Sequence, residues 1–104
     1  MFGLLKSLFG ADNSQLTEVL KEGAFLVDVR TPGEFIGGSV KGAINIPLDR
    51  IPAQLTKFKG KKNIVVFCQS GMRSSQAKGI LKQNGVENVI NGGSWRNIEG
   101  LMRG

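Results

Sequence analysis

The stretch Ile64-Val65-Val66-Phe67-Cys68-Gln69-Ser70-Gly71-Met72-Arg73 decides how this chain folds. Its first half is continuously apolar, which marks a strand buried on both faces, because a half-exposed strand alternates polar and apolar positions. Its second half turns polar around a glycine and enters a segment with Ala77, Ile80 and Leu81 at helical spacing, followed by Gly85 just past the helix end. A doubly buried strand, a loop and an amphipathic helix form the repeating unit of a parallel α/β sheet.

The same unit recurs on either side. Ser14 is placed to cap a helix carrying Leu16, Val19 and Leu20, ended by Gly23. Ala24-Phe25-Leu26-Val27-Asp28-Val29 reads as a buried strand, broken by Thr31-Pro32-Gly33. The glycine-rich loop 37–42 leads to a short strand, Ala43-Ile44-Asn45-Ile46, which Pro47 stops. Asp49 is placed to cap a helix with Pro52 in its first turn and an apolar stripe of Leu48, Ile51, Leu55 and Phe58. Val89-Ile90 is a last short strand, and Ser94 caps a final helix with Trp95, Ile98 and Met102 inward. The expected architecture is a parallel α/β sheet with helices on both faces.

Composition limits the chemistry. The 104 residues suit one compact domain, and 40% hydrophobic residues can furnish its core. One cysteine cannot form an intramolecular disulfide. There is no histidine, so Ser-His-Asp triads, Cys-His dyads and histidine zinc sites are ruled out. Fourteen Lys+Arg against eight Asp+Glu give a net charge of +6, a field that favours anionic partners. The basic run Lys57, Lys59, Lys61 and Lys62 has no interleaved aromatic except Phe58, a helix core position, so it reads as a solvated turn and not a nucleic-acid surface.

Residues 1–10 form an apolar extension, and residues 11–104 form the domain. Phe2, Leu5, Leu8 and Phe9 share a helical face suited to docking on the domain or on a second subunit, ahead of weak interfacial anchoring. Lys6 interrupts the segment, which is too short for a membrane span and lacks the pattern of a signal peptide. A cytoplasmic location is therefore expected, in keeping with a working thiolate.

Cys68 stands at the carboxyl end of its strand, where doubly wound sheets collect functional groups. A lone cysteine on an apolar strand is by itself only a small core residue. Three features beside it point further. The following helix N-terminus offers free N–H groups and partial positive charge that stabilise a thiolate. Gly71 lets the loop turn its amides inward. Arg73 adds a permanent charge and a fork of donors matched to oxyanions.

Asp28-Val29-Arg30 with Glu34-Phe35, then Gly42-Ala43-Ile44-Asn45-Ile46-Pro47, the cysteine loop, and Gly92-Gly93 with Trp95 together resemble the rhodanese homology domain. The likeness runs in order from about Ser14 to Met102. It implies a rhodanese-like three-layer sandwich with a five-stranded parallel sheet. It also implies a persulfide-forming Cys68, with Gln69, Ser70, Gly71, Met72 and Arg73 as the loop that cradles the transferred sulfur. Asp28, Arg30 and Glu34 match positions read as structural charges that pair near the loop. Gly38 stands where the family usually carries histidine, which bears on loop rigidity more than on activity.

The implied activity is sulfane sulfur transfer from thiosulfate or a persulfide donor to cyanide, a small thiol or a protein thiol, with no metal or organic cofactor. Two other readings compete. One is a persulfide carrier or partner-binding module with little turnover of its own. The other is phosphatase or arsenate reductase chemistry, which also uses a cysteine below an amide-lined loop. From Cys68 to Arg73 is six residues, which resembles the sulfurtransferase branch; phosphatases of this fold carry one residue more.

Overall fold

The computed structural model describes residues 13–103, so the apolar extension 1–10 lies outside the described residues. Helix α1 (Asn13–Glu22) leads to β1 (Phe25–Asp28), short helix α2 (Pro32–Ile36) and β2 (Ile44–Asn45). A 3₁₀ helix (Leu48–Phe58), β3 (Ile64–Cys68), α3 (Met72–Gln83), β4 (Val89–Ser94) and α4 (Trp95–Arg103) complete the order. The strands form one parallel sheet in the order β2-β1-β3-β4.

All five residues of β3 are buried, and they alternate between two cores. Ile64, Val66 and Cys68 face Ile51 and Phe58 of the 3₁₀ helix and Ala77 and Leu81 of α3. Val65 and Phe67 face Leu16 and Val19 of α1 and Ile98 of α4. Full burial of one such apolar side chain contributes about 1.5–3 kcal/mol, which is why both faces of the strand had to be apolar. Helices thus cover both faces of the sheet.

The structure corrects several expectations. The sheet has four strands among the described residues, not five; the chain offers four apolar strand segments in this range, and every other segment is helical or turn-forming. Ser14 lies inside α1 and not at its cap, since Asn13 is already helical. Asp49 does not cap the third helix, whose N-cap is Pro47 without a side-chain bond. That element is 3₁₀, holds Pro52 inside, where either helix type would lose one N–H bond, and breaks at Gln54 (φ −121°, ψ 21°). Thr31-Pro32-Gly33 opens α2 through a capping box, in which the Thr31 hydroxyl accepts the Glu34 amide and Glu34 accepts the Thr31 amide. Met102 points outward while Leu101 packs on the core. Ser94 does cap α4, its hydroxyl accepting the Asn97 N–H at 3.1 Å.

Two features place the site. The chain leaves β1 towards β2 on one side and leaves β3 towards β4 on the other, so the crevice between the carboxyl ends of β1 and β3 is the topological switch point. The β3–β4 register pairs Val66 with Asn91 and Cys68 with Ser94, so β4 carries one extra residue in a bulge. Gly92 sits in that bulge, where an added Cβ would lie 2.6 Å from Ile98 Cδ1 and 2.9 Å from Val65 Cγ1. Gly92→Ala should therefore destabilise the domain by about 1–3 kcal/mol, read as a lower urea midpoint at unchanged slope. An unchanged midpoint would disprove this account of the close approach.

Candidate functional site

The carboxyl end of β1 is held by an ion pair closed off from water. Asp28 and Arg30 are 0% and 3% exposed, and the guanidinium binds the carboxylate with Nη2 to Oδ2 at 2.7 Å and Nε at 3.0 Å to both oxygens. Asp28 also accepts the Arg30 amide and the Ser39 hydroxyl, and Arg30 Nη2 donates to the Gly38 carbonyl at 2.6 Å. Trp95 lies against the guanidinium, 5.2 Å from its ring centre. Asn45 Nδ2 donates to the Asp28 and Arg30 carbonyls, tying β2 to the same point. The expected pairing of Asp28 with Arg30 is present. Glu34 pairs elsewhere.

Cys68 ends β3 and is 1% exposed. Gly71, at φ +105°, turns the chain into α3 and donates its N–H to Cys68 Sγ at 3.0 Å. The helix begins at Met72, so the amides of Met72, Arg73 and Ser74 lack intrahelical acceptors; the first amide to find one is Ser75, which bonds the Gly71 carbonyl. Burial pushes the Cys68 thiol up, but the Ser74 hydroxyl and the amides of Ser74, Gly71 and Ser70 outweigh it and leave the thiol below its ordinary value.

Gln69, Ser70 and Met72 are exposed along the loop, and Gly71 is buried beneath it. Arg73 is half-buried and meets Glu34 of α2 through two bonds, Nη1 to Oε1 at 2.8 Å and Nη2 to Oε2 at 3.0 Å. Its hydrogen bonds hold the Glu34 carboxyl down at about 2, and Glu34 in turn raises Arg73. The fork expected to face an oxyanion thus straddles the switch-point crevice and joins α2 to the loop.

Two site residues escaped the sequence reading. Ser74 is fully buried, with its hydroxyl 3.5 Å from Cys68 Sγ and 2.6 Å from Asn91 Oδ1. Asn91 Nδ2 donates to the Gly71 carbonyl at 3.2 Å, and its Oδ1 accepts the Gly93 N–H at 2.9 Å. One signal was present: Ser74 stands one turn before Ala77 and two before Leu81, on the buried side of the helix. Among the described residues no group of side chains could hold a metal ion, and no helix is long and apolar enough to cross a membrane.

Comparison with known proteins places the chain in a family. The sequence profile of the Rhodanese-like domain matches residues 12–99. A protein of Allochromatium vinosum named Sulfurtransferase is 35% identical over 82 residues, covering 77% of each chain. Thiosulfate sulfurtransferase PspE of Escherichia coli is 38% identical over 74 residues, covering 69% of this chain and 71% of its own. The chain spans about half the length (54%) of another relative, the YqhL protein of Bacillus subtilis. Among solved structures, the human single-domain sulfurtransferase TSTD1 superposes with a TM-score of 0.72 at 27% identity, covering 91% of this chain and 96% of its own. Profile, relatives and superposed fold lead to one conclusion: this chain belongs to the rhodanese-like domain family.

Proposed function

We propose that the protein is a sulfurtransferase that carries sulfane sulfur as a persulfide on Cys68. The observation that carries this reading is a lone thiol at the switch point, receiving the Gly71 N–H at 3.0 Å at the base of a six-residue loop, with the Ser70 and Ser74 amides also bearing on it. The thiolate attacks the outer sulfur of thiosulfate or of a persulfide donor. A bond forms between Cys68 Sγ and that sulfur, the donor's own S–S bond breaks, and sulfite or a thiolate departs with the electron pair. A thiol, a protein thiol or cyanide then takes the terminal sulfur and Cys68 leaves as thiolate. The amides of Gln69, Ser70, Gly71, Met72 and Arg73 are assigned to the anionic terminal sulfur, where fixed donors need no reorganisation. No step calls for a cofactor, and the site suits a reducing compartment such as the cytoplasm.

One observation favours a second reading, a persulfide carrier with little thiosulfate turnover: both terminal nitrogens of Arg73 are bound to Glu34 and not turned to an oxyanion. The rate of persulfide formation from thiosulfate separates the two.

Mass spectrometry after thiosulfate exposure should show one added sulfur on Cys68, and Cys68→Ser should fold yet neither load nor turn over. Transfer by a folded Ser variant would remove Cys68 from the mechanism. Hydrolysis of p-nitrophenyl phosphate should be negligible, since the short loop leaves too little room for tetrahedral oxygens; a phosphatase activity that Cys68→Ser abolishes would overturn the assignment.

Glu34 supplies a pH test. Its carboxyl titrates at about 2 in the folded chain against an ordinary 4.5, so its bond to Arg73 stabilises the fold fully above about pH 5 and is lost as pH falls from 4.5 through 2. The difference in Tm between wild type and Glu34→Gln should be constant from about pH 5 to 8 and shrink below about pH 4. A difference independent of pH would show that the carboxylate charge is not what matters.

A further inference from the structure

We infer that Ser74 is a positioning residue whose single hydroxyl proton is shared between Asn91 and Cys68, swinging onto the sulfur when that sulfur becomes anionic. This deepens the reading of Cys68 as the nucleophile and rests on it.

The argument begins with Asn91, whose orientation is forced. Its Oδ1 faces the Gly93 N–H at 2.9 Å, which can only donate, and its Nδ2 faces the Gly71 carbonyl at 3.2 Å, which can only accept. Oδ1 is therefore the atom that meets Ser74, and since it can only accept, the hydroxyl donates to it across 2.6 Å. A serine has one hydroxyl proton. While that proton lies on Asn91, the Ser74 oxygen can only accept from the Cys68 thiol 3.5 Å away. This arrangement suits the neutral thiol.

Ionisation reverses the balance. Once the thiol proton has left to solvent, Sγ accepts and Asn91 Oδ1 still holds the Gly93 N–H. Rotation about the Ser74 C–O bond then moves the hydroxyl proton to the thiolate, with no covalent bond made or broken. A hydrogen bond to a charged acceptor in a buried site is roughly twice as strong as a neutral one, so the anion wins the competition. The charged groups nearby stay the same when Ser74 changes. Arg73, which interacts with Cys68, keeps its charge and its bonds to Glu34 of α2; Asp28 and Arg30 of β1 are bound to each other; Asp49, Arg50 and Lys57 of the 3₁₀ helix and Lys78 and Lys82 of α3 are exposed; and β4 carries no charged residue. The device makes the site bistable: Asn91 keeps the loop's glycine carbonyl in place in both states while Ser74 reports the charge on sulfur.

The test is the pH profile of Cys68 alkylation by iodoacetamide on the full chain, without any sulfur donor. Ser74→Ala is expected to keep the fold, since Asn91 retains both backbone partners, and to lower the thiolate fraction near neutral pH by about three- to tenfold. Ser74→Thr keeps the hydroxyl and both of its partners, so its profile should stay at the wild-type position. An unchanged or acid-shifted profile in folded Ser74→Ala would overturn the proposal, because a hydroxyl resting permanently on Asn91 stabilises only the thiol. So would a folded Ser74→Thr that shifts as far as Ser74→Ala. Loss of sulfur loading in wild type with the Ser74→Ala shift intact would fault the sulfur-transfer reading and leave the proton exchange standing.

Discussion

The buried pair of Asp28 and Arg30 is the constraint on which the rest of this structure depends. A carboxylate without exposure at the end of a parallel strand is tolerable only if its oxygens are satisfied, and here a guanidinium, a serine hydroxyl and a backbone amide do so. Removing one partner of such a pair costs about 3–5 kcal/mol, which is a large part of the stability of a domain this size. Because Arg30 also reaches the Gly38 carbonyl and Trp95, the pair fixes how the chain leaves β1, closes the following loop and receives α4. That exit sets α2, and α2 sets Glu34. Glu34 in turn holds Arg73 and the rim of the cysteine loop.

The site is therefore braced from two directions. From outside, the half-exposed Arg73–Glu34 bridge joins the two strand ends that flank the crevice. From beneath, Asn91 ties the bulged strand β4 to the Gly71 carbonyl. The loop needs both, since a ring of amides stabilises an anion only if the donors already point at it. No buried side-chain nitrogen or oxygen among the described residues lacks a hydrogen-bond partner, so the polar groups around the sulfur are all committed.

Much of this was legible before any coordinates, and the reasons are particular. Ile64–Cys68 read as a doubly buried strand because an uninterrupted apolar run has no other economical use in a short chain. Gly23 and Gly85 marked helix ends and Gly71 the turn of the cysteine loop, and the chain takes a left-handed conformation at each. Cys68 and its loop were visible because a polar, glycine-bearing segment directly after such a strand has no role in a core. The fifth strand came from the family likeness and not from any residue pattern, and no fifth strand is present among the described residues. Pro52 is compatible with the first turn of an α-helix, yet the element that holds it is 3₁₀ and broken at Gln54. Ser74, Asn91 and the true partner of Arg73 were hidden for a shared reason: each acts on a group 17 to 39 residues away, across elements whose adjacency only the fold creates.

The burial of Cys68 has one more consequence. At 1% exposure the bare sulfur offers no surface for a bulky reagent or a second protein's disulfide to meet in line. A persulfide sulfur extends about 2 Å beyond it, a typical S–S bond length. Loading in the proposed cycle therefore carries the reactive atom beyond the buried Sγ, in a site whose loop exposes Gln69, Ser70 and Met72. On the proposed cycle, an acceptor meets a reachable atom only in the charged form. Cargo and reach then rise and fall together, and an acceptor too bulky for the bare Sγ has an atom to meet only on the loaded chain.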